Sequence, residues 1–455
     1  MRRLLLKRGL QSLSLLVAAI VVLAGISGPA QAVPASAPSA VGPQTTFFFA
    51  EGSTQSPFDT WFLVENPSNQ TVGLTFTFFL QPTGTVVQNY SVGPTARFSL
   101  FANQALPNQA FSTRINASAP IFAERAMYVG FDGDVVTGIP APNTTWLFAE
   151  GATVAPFHTW LLLQNPNNVA APTTIAYLLE SGQTVTQTLS LPANSRTSIF
   201  VNDVLPNAAF SSRVVSSQPI IAERAMYRFP GNAATVNSGV NAPSTSWFFS
   251  EGRTELSSLR GEGAPPADTF LLLENTNSTQ ATATITLFGV GGNTTTFSVV
   301  LLPTSRITLF LNPLMTGSFG IRVVSTIPII AERSIFFGTE PRGAYSTQGA
   351  TALSTSWHFA EGETRSPFNE IITLLNPGDQ TANVRMDFLL VTGQTVPGFF
   401  DVAPHSKLEV EVGRIVTGAN SVNITSSQPI VAERTMFIFK LGSIGAHDTI
   451  GFSGS

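Results

Sequence analysis

The sequence predicts an all-β protein, a tandem array of four immunoglobulin-like β-sandwich domains behind a cleaved signal peptide. Three observations predict it: a four-fold internal repeat, period-two apolar alternation inside each copy, and the lack of sustained 3.6-residue periodicity after the N-terminal apolar run. The repeat carries most of the weight. Phe-Ala-Glu-Gly or its Ser variant recurs with glutamates at Glu51, Glu150, Glu251 and Glu361, which are 150 − 51 = 99, 251 − 150 = 101 and 361 − 251 = 110 residues apart. A second marker, Pro-Ile-x-Ala-Glu-Arg, ends at Arg125, Arg224, Arg333 and Arg434. The third copy is longer because of a polar insertion near Glu255 to Pro266, which reads as a surface loop.

Within the first copy Val72, Leu74, Phe76, Phe78 and Leu80 alternate with Gly73, Thr75, Thr77 and Phe79, the pattern of a half-buried strand. In the fourth copy Arg385 and Asp387 fall on the predicted outer face of the matching strand. A glycine turn follows in each copy (Gly84, Gly182, Gly291-Gly292, Gly393), then another strand and a corner of the type Pro-x-Ser-Arg that ends at Arg97, Arg196, Arg306 or Lys407. About seven strands fit in about 100 residues, the size of an immunoglobulin-like sandwich. The expected divisions are 1–32 signal peptide, 33–44 flexible linker, and repeats at 45–143, 144–243, 244–353 and 354–455. Short Gly-, Pro- and Ala-rich connectors suggest beads on a string rather than a closed propeller, whose blades need only about 40 to 50 residues each.

Arg2, Arg3, Lys7 and Arg8 precede an apolar run from Leu13 to Ala24, and Ala30-Gln31-Ala32 matches an A-x-A cleavage pattern. Cleavage near Ala32 and an extracellular or cell-surface location are expected, by the general secretory or the twin-arginine route. The membrane is then a partner only through the signal peptide before cleavage. The C-terminal residues show no apolar tail or sorting motif, so release or non-covalent association is expected over anchoring. Charged residues make up only 11% of the chain, the net charge is −4 and no basic run follows the signal, which argues against nucleic acid as a partner. Cysteine is absent, removing disulfides, thiolate metal sites and a cysteine nucleophile.

Along a strand such as Ile221-Ala222-Glu223-Arg224-Ala225-Met226-Tyr227 successive side chains point to opposite faces, so one of the two charges lies near a core. A buried guanidinium requires a carboxylate partner. The expected structural ion pairs are Glu51 with Arg125, Glu150 with Arg224, Glu251 with Arg333 and Glu361 with Arg434, tying the first strand of each domain to its last.

Trp-x-Phe-Ala-Glu-Gly, Asn-Pro, Pro-x-Ser-Arg and Pro-Ile-x-Ala-Glu-Arg-x-Met-Tyr together resemble a family of uncharacterised exported bacterial repeat proteins. The resemblance implies an extracytoplasmic β-domain array and no assigned activity. The chain departs from the pattern at Phe47, at Asn275-Thr276, at Ile335-Phe336 and at Phe437.

No catalytic, cofactor-binding or metal-binding residues are assigned, and no cofactor is expected. His158, His358, His405 and His447 have no equivalents in other copies and no metal-ligand spacing. Glu51 with Asp59, or Glu251 with Asp268, would be the carboxyl pair of a glycoside-active enzyme, but the matching positions are His158 and Asn369. Two classes remain ahead of an enzyme. One is a structural or adhesive surface protein that meets a cell-surface polymer or another surface protein; the other is a carbohydrate-binding array using Trp61 and Trp160 as stacking platforms.

Overall fold

The computed structural model describes residues 42–228, 233–256, 265–338, 343–440 and 442–454. The expected signal peptide with its cleavage site, the expected linker up to residue 41 and most of the insertion in the third copy therefore lie outside the described residues. The described chain is nearly all strand, in four repeated sheet units.

In the first repeat the strands are β1 (Gln44–Phe49), β2 (Phe58–Asn66), β3 (Val72–Leu80), β4 (Thr85–Val92), β5 (Ala96–Phe101), β6 (Phe111–Val129) and β7 (Asp132–Thr137). A single helical turn, Ala102–Ala105, follows β5. The long β6 organises the unit. Its first half lies between β3 and β1, with Phe76 opposite Ile115 and Phe47 also opposite Ile115. Its second half lies between β2 and β7, with Phe62 and Val136 both opposite Arg125. The order β4-β3-β6-β1 thus makes one layer and β5-β2-β6-β7 the other, and β6 belongs to both. The register of β1 against β6 jumps from Asn116 to Ile121, and Pro120 sits inside that gap. Proline has no N–H to give to a ladder, so a corner between layers suits it. Pro219, Pro328 and Pro429 occupy the same place in the other long strands, Phe210–Arg228, Phe319–Phe337 and Asn420–Lys440.

The alternation read from the sequence becomes the packing between layers. Val72, Leu74, Phe76 and Phe78 are buried, while Gly73 is exposed. Phe62 sits among Phe49, Phe76 and Phe78 at centroid distances of 5.4, 5.6 and 6.2 Å. Two other sequence markers prove to be turn devices. The amide of Asn66 donates to the carbonyl of Gln70 at 2.7 Å, and Asn165, Asn275 and Asn376 make the same bond to Val169, Thr279 and Gln380 at 2.9, 2.8 and 2.7 Å. At the proline corner Thr95, Asn194, Thr304 and His405 all adopt left-handed backbone, with φ of 44, 48, 47 and 52°.

The repeats are not beads on a string. The strands β7, Ala233–Ser238, Gly343–Gln348 and Ser443–Ile450 stand side by side around one axis, each packed on the next and the last on β7. A head-to-tail contact that turns by a constant angle closes into a ring, and four such contacts close this one. Short connectors, read from the sequence as a sign of beads on a string, bring each unit against its neighbour. The chain after β7 returns to bond β1, Phe48 to Ile139 at 2.8 Å. In the fourth repeat Phe452–Ser453 pairs with Ser354–Phe359 in the same way. The ring of Phe452 then lies 5.6 Å from Phe47 and 5.3 Å from Phe122 of the first repeat.

Candidate functional site

Four seams separate the repeats, and the marker motifs meet in them. In the first seam the Glu223 carboxylate, from the second repeat, accepts from the backbone N–H of Ala50 at 2.8 Å and of Glu51 at 3.2 Å. It also pairs with Arg125 at 2.6 Å. Arg125 in turn donates to the Glu51 carbonyl at 2.7 Å, and the Glu51 carboxylate receives Arg196 of the second repeat at 3.1 Å. Both Arg125 and Glu223 are 0% exposed, a burial that only the neighbouring repeat makes possible.

The pattern recurs around the ring. Arg224 meets Glu332 at 2.6 Å, Arg333 meets Glu433 at 2.6 Å, and Arg434 meets Glu124 at 2.8 Å, which closes the circle. Each of these arginines also donates to the carbonyl of its own repeat's Phe-Ala-Glu-Gly glutamate: Glu150, Glu251 and Glu361 at 2.8, 2.7 and 2.6 Å. The tyrosine position of the second marker joins in. Tyr227 packs on Phe58 at 5.7 Å, Phe336 on Phe157 at 5.7 Å and Tyr128 on Phe368 at 6.0 Å, each across a seam.

Of the within-repeat pairs expected from the sequence, the structure brings two together: Glu150 with Arg224 at 2.9 Å and Glu361 with Arg434 at 2.9 Å. The other two are not carboxylate pairs. The Glu51 carboxylate goes to Arg196, while Glu251 is held by Arg253 and by Lys407 at 2.6 Å, and Arg333 turns to Glu433 and Asp448. A carboxylate from the next repeat sits on the guanidinium in every seam; in the first and third the glutamate is drawn away from it by the next repeat's corner cation, Arg196 or Lys407, whereas in the second the corner Arg306 goes to Glu180 and Arg224 holds both carboxylates. The periodicity of the strand placed these charges correctly near a core; what it could not show was that the core is shared by two repeats.

At the axis Asp132 departs from the four-fold pattern. Asp132 is fully buried, and its carboxyl accepts from the backbone N–H of Ala446 at 2.8 Å, Ala234 at 3.2 Å and Ala344 at 3.2 Å. These three occupy one equivalent position in the other repeats. Burial pushes the Asp132 carboxyl up to about 8, against the pull of those donors and of Gly133. The matching positions are Ala233, Gly343 and Gly445, and the space explains it: a Cβ on Gly445 would sit 2.1 Å from the Phe131 carbonyl and 2.7 Å from the Asp132 Cα. The Asp132 carboxyl fits because its three counterparts are small and make room.

The histidines are more structural than their lack of equivalents suggested. His358 stacks on Phe122 at 4.3 Å across the fourth seam, and His447 is buried near the axis, 3.3 Å from the Tyr128 hydroxyl. Burial holds the pKa of His447 well below the ordinary histidine range. His405 is the left-handed corner residue and lies 2.9 Å from exposed Asp379. Asp59 and Asp268 accept from Asn103 at 3.1 Å and Asn312 at 3.3 Å at strand entries. Trp61 and Trp160 have one face each covered, by Phe101 at 4.5 Å and Phe200 at 4.7 Å. No group of three or more His, Cys, Asp or Glu suited to a metal ion occurs among the described residues.

No protein-family model and no curated protein matches the chain. Among solved structures it is similar to Thermotoga maritima 1070, at 22% identity over 24% of this chain and 93% of that one, with a TM-score of 0.20. The Anabaena sensory rhodopsin transducer matches at 23% identity over 18% of this chain and 95% of that one, TM-score 0.17. The tetra-tandem repeat in the extending region of a large adhesion protein matches at 12% identity over 86% and 93%, TM-score 0.10. At such values the fold rests on the strand pairing itself, which is all-β and four times repeated.

Proposed function

We propose that the chain is an exported, non-catalytic structural or adhesive protein whose unit of action is the closed four-repeat ring, secreted or held at the cell surface. One observation supports this reading above the others: the charged and aromatic residues that all copies keep are spent on joining repeats, which leaves no repeated exposed constellation for chemistry among the described residues. The basic n-region and A-x-A site favour export, and the cysteine-free composition suits a protein stabilised by burial alone. The partner expected is a cell-surface polymer or another surface protein. Fractionation of the producing cell into medium, wall and membrane, with identification of what co-purifies, tests it; recovery of the full-length chain in the cytoplasm alone would sink it.

A second reading, carbohydrate binding, is favoured by one surface. On the fourth repeat Phe399 is 71% exposed beside the hydrogen-bonded pair Asn383 and Asp401, 2.8 Å apart, at the edge of a depression of about 350 Å³. An aromatic face next to a planar amide and carboxylate suits a sugar ring. Polysaccharide pull-down with the parent chain and Phe399→Ser distinguishes the readings: saturable binding lost in the variant supports the second.

A further inference from the structure

Three linkers cross the first three seams, whereas the seam between the fourth and first repeats is spanned by no linker and holds by contact alone. Its chemistry also differs. The first seam sets two buried carboxylates, Glu51 and Glu223, against two guanidinia, Arg125 and Arg196. The fourth seam has the same four places in Glu361, Glu124, Arg434 and Arg97, and adds two fully buried carboxyls. Glu370 stands where the other repeats have Thr60, Thr159 and Thr269, and Glu65 where the second has Gln164; the third repeat has a buried Glu274 at the Glu65 position, in the second seam, so the pair of extra carboxyls is complete only in the fourth. Glu370 is accommodated by Asn420, which replaces the Phe111, Phe210 and Phe319 of the other copies and donates to it at 2.8 Å. Four buried carboxyls thus face two guanidinia in a buried contact; one Glu370 oxygen makes no hydrogen bond, and Glu65 has only the Asn423 side chain to turn to.

We propose that the fourth-to-first seam is a pH-sensitive clasp, closed while Glu65 and Glu370 keep their protons and released when both ionise. A buried contact tolerates surplus carboxyls only when they are neutral, because an unpaired buried charge costs far more than a neutral acid. The surroundings agree from every side. Glu370 faces Arg434 and Asn420 on its own repeat's long strand, Glu361 just past that repeat's first strand, and Arg97 on β5. Glu65 faces Asn423 across the seam and Glu124 on β6. Glu363, beside Arg97, is already matched by exposed Arg365 at 2.7 Å, and His447, Tyr128 and Asp448 near the axis add no cation. Burial raises Glu65 to about 8 and Glu370 to about 7. Both lie above the ordinary glutamate value of 4.5, so the stability they contribute is complete below that value and is lost as pH rises through about 7 to 8. Asp132 ionises in the same range but touches all four hairpins, so it acts on every seam alike.

The absence of cysteine permits clean labelling. Thr85 and Thr395 are equivalent exposed residues on the first and fourth repeats, and Thr184 is their counterpart on the second, so that 85–184 spans the first seam, which holds neither extra carboxyl. Spin-label distances for the T85C/T395C and T85C/T184C chains should be measured from about pH 5.5 to about pH 9. The expected result is a longer, broader 85–395 distance above about pH 8 with 85–184 unchanged. In E65Q/E370T/N420F, which restores residues used by other repeats, the opening should vanish or move up by at least about one pH unit. An 85–395 distance that stays fixed, or that lengthens together with 85–184, overturns the proposal. So does a folded triple variant that opens like the parent. Should the triple variant not fold, the two label pairs in the parent still decide.

Discussion

The seams and the outward layer of each repeat obey different rules. In the seams Arg125, Arg224, Arg333 and Arg434 are all 0% exposed, and each meets the glutamate of a neighbouring repeat at 2.6 to 2.8 Å. On the outward layer the position of Phe399 is taken by Asn89, Thr188 and Ser298 in the other copies, and nothing in the fold requires any one of them. A residue kept in four copies of one chain can answer to its own fold or to its neighbour. Here the charged ones answer largely to the neighbour, which is why they resemble a repeated site while being inaccessible.

The sharpest way to break that contrast is Arg224→Ala, which strands Glu332 and Glu150 in a dry interface. Denaturant unfolding should show a loss of about 3 to 5 kcal/mol. Asp132→Ala comes next, because it leaves converging N–H groups at the axis without an acceptor, and a loss of about 2 to 3 kcal/mol is expected in the same assay. Phe58→Ala removes one aromatic contact across the first seam, and about 1 to 2 kcal/mol should go with it, read as a lowered Tm in calorimetry. At the far end, Thr188→Ser on the outward layer should move stability by less than about 0.5 kcal/mol. If that change matched the Arg224 variant in cost, the distinction between the two regions would fail.

Much of the fold was legible. Period-two alternation located β3 and its counterpart with Arg385 and Asp387, and the glycine turns and proline corners marked the strand ends because their backbone needs are local. The expectation that a mid-strand arginine such as Arg224 needs a buried carboxylate also followed from local chemistry. Partner choice was not legible. Glu150 and Glu332 are both glutamates in repeated motifs, and sequence spacing cannot say which one lies nearer to Arg224; both do. Ring closure was hidden for a related reason, since no single repeat encodes the turn between neighbours. A signal was present nonetheless: the second marker keeps two adjacent opposite charges, which face opposite sides of a strand, so both faces had to be covered. The role of His358 and His447 was not visible because each fits one seam only.

The placement of Phe452–Ser453 in the slot that Ile139 fills in the first repeat has a topological consequence. Gly454 comes to rest beside Gly42, with a Cβ built on it only 3.7 Å from the Gly42 nitrogen. The backbone could therefore be spliced there and cut within residues 138–143 instead, yielding a circular permutant with the same ring and a different unlinked joint.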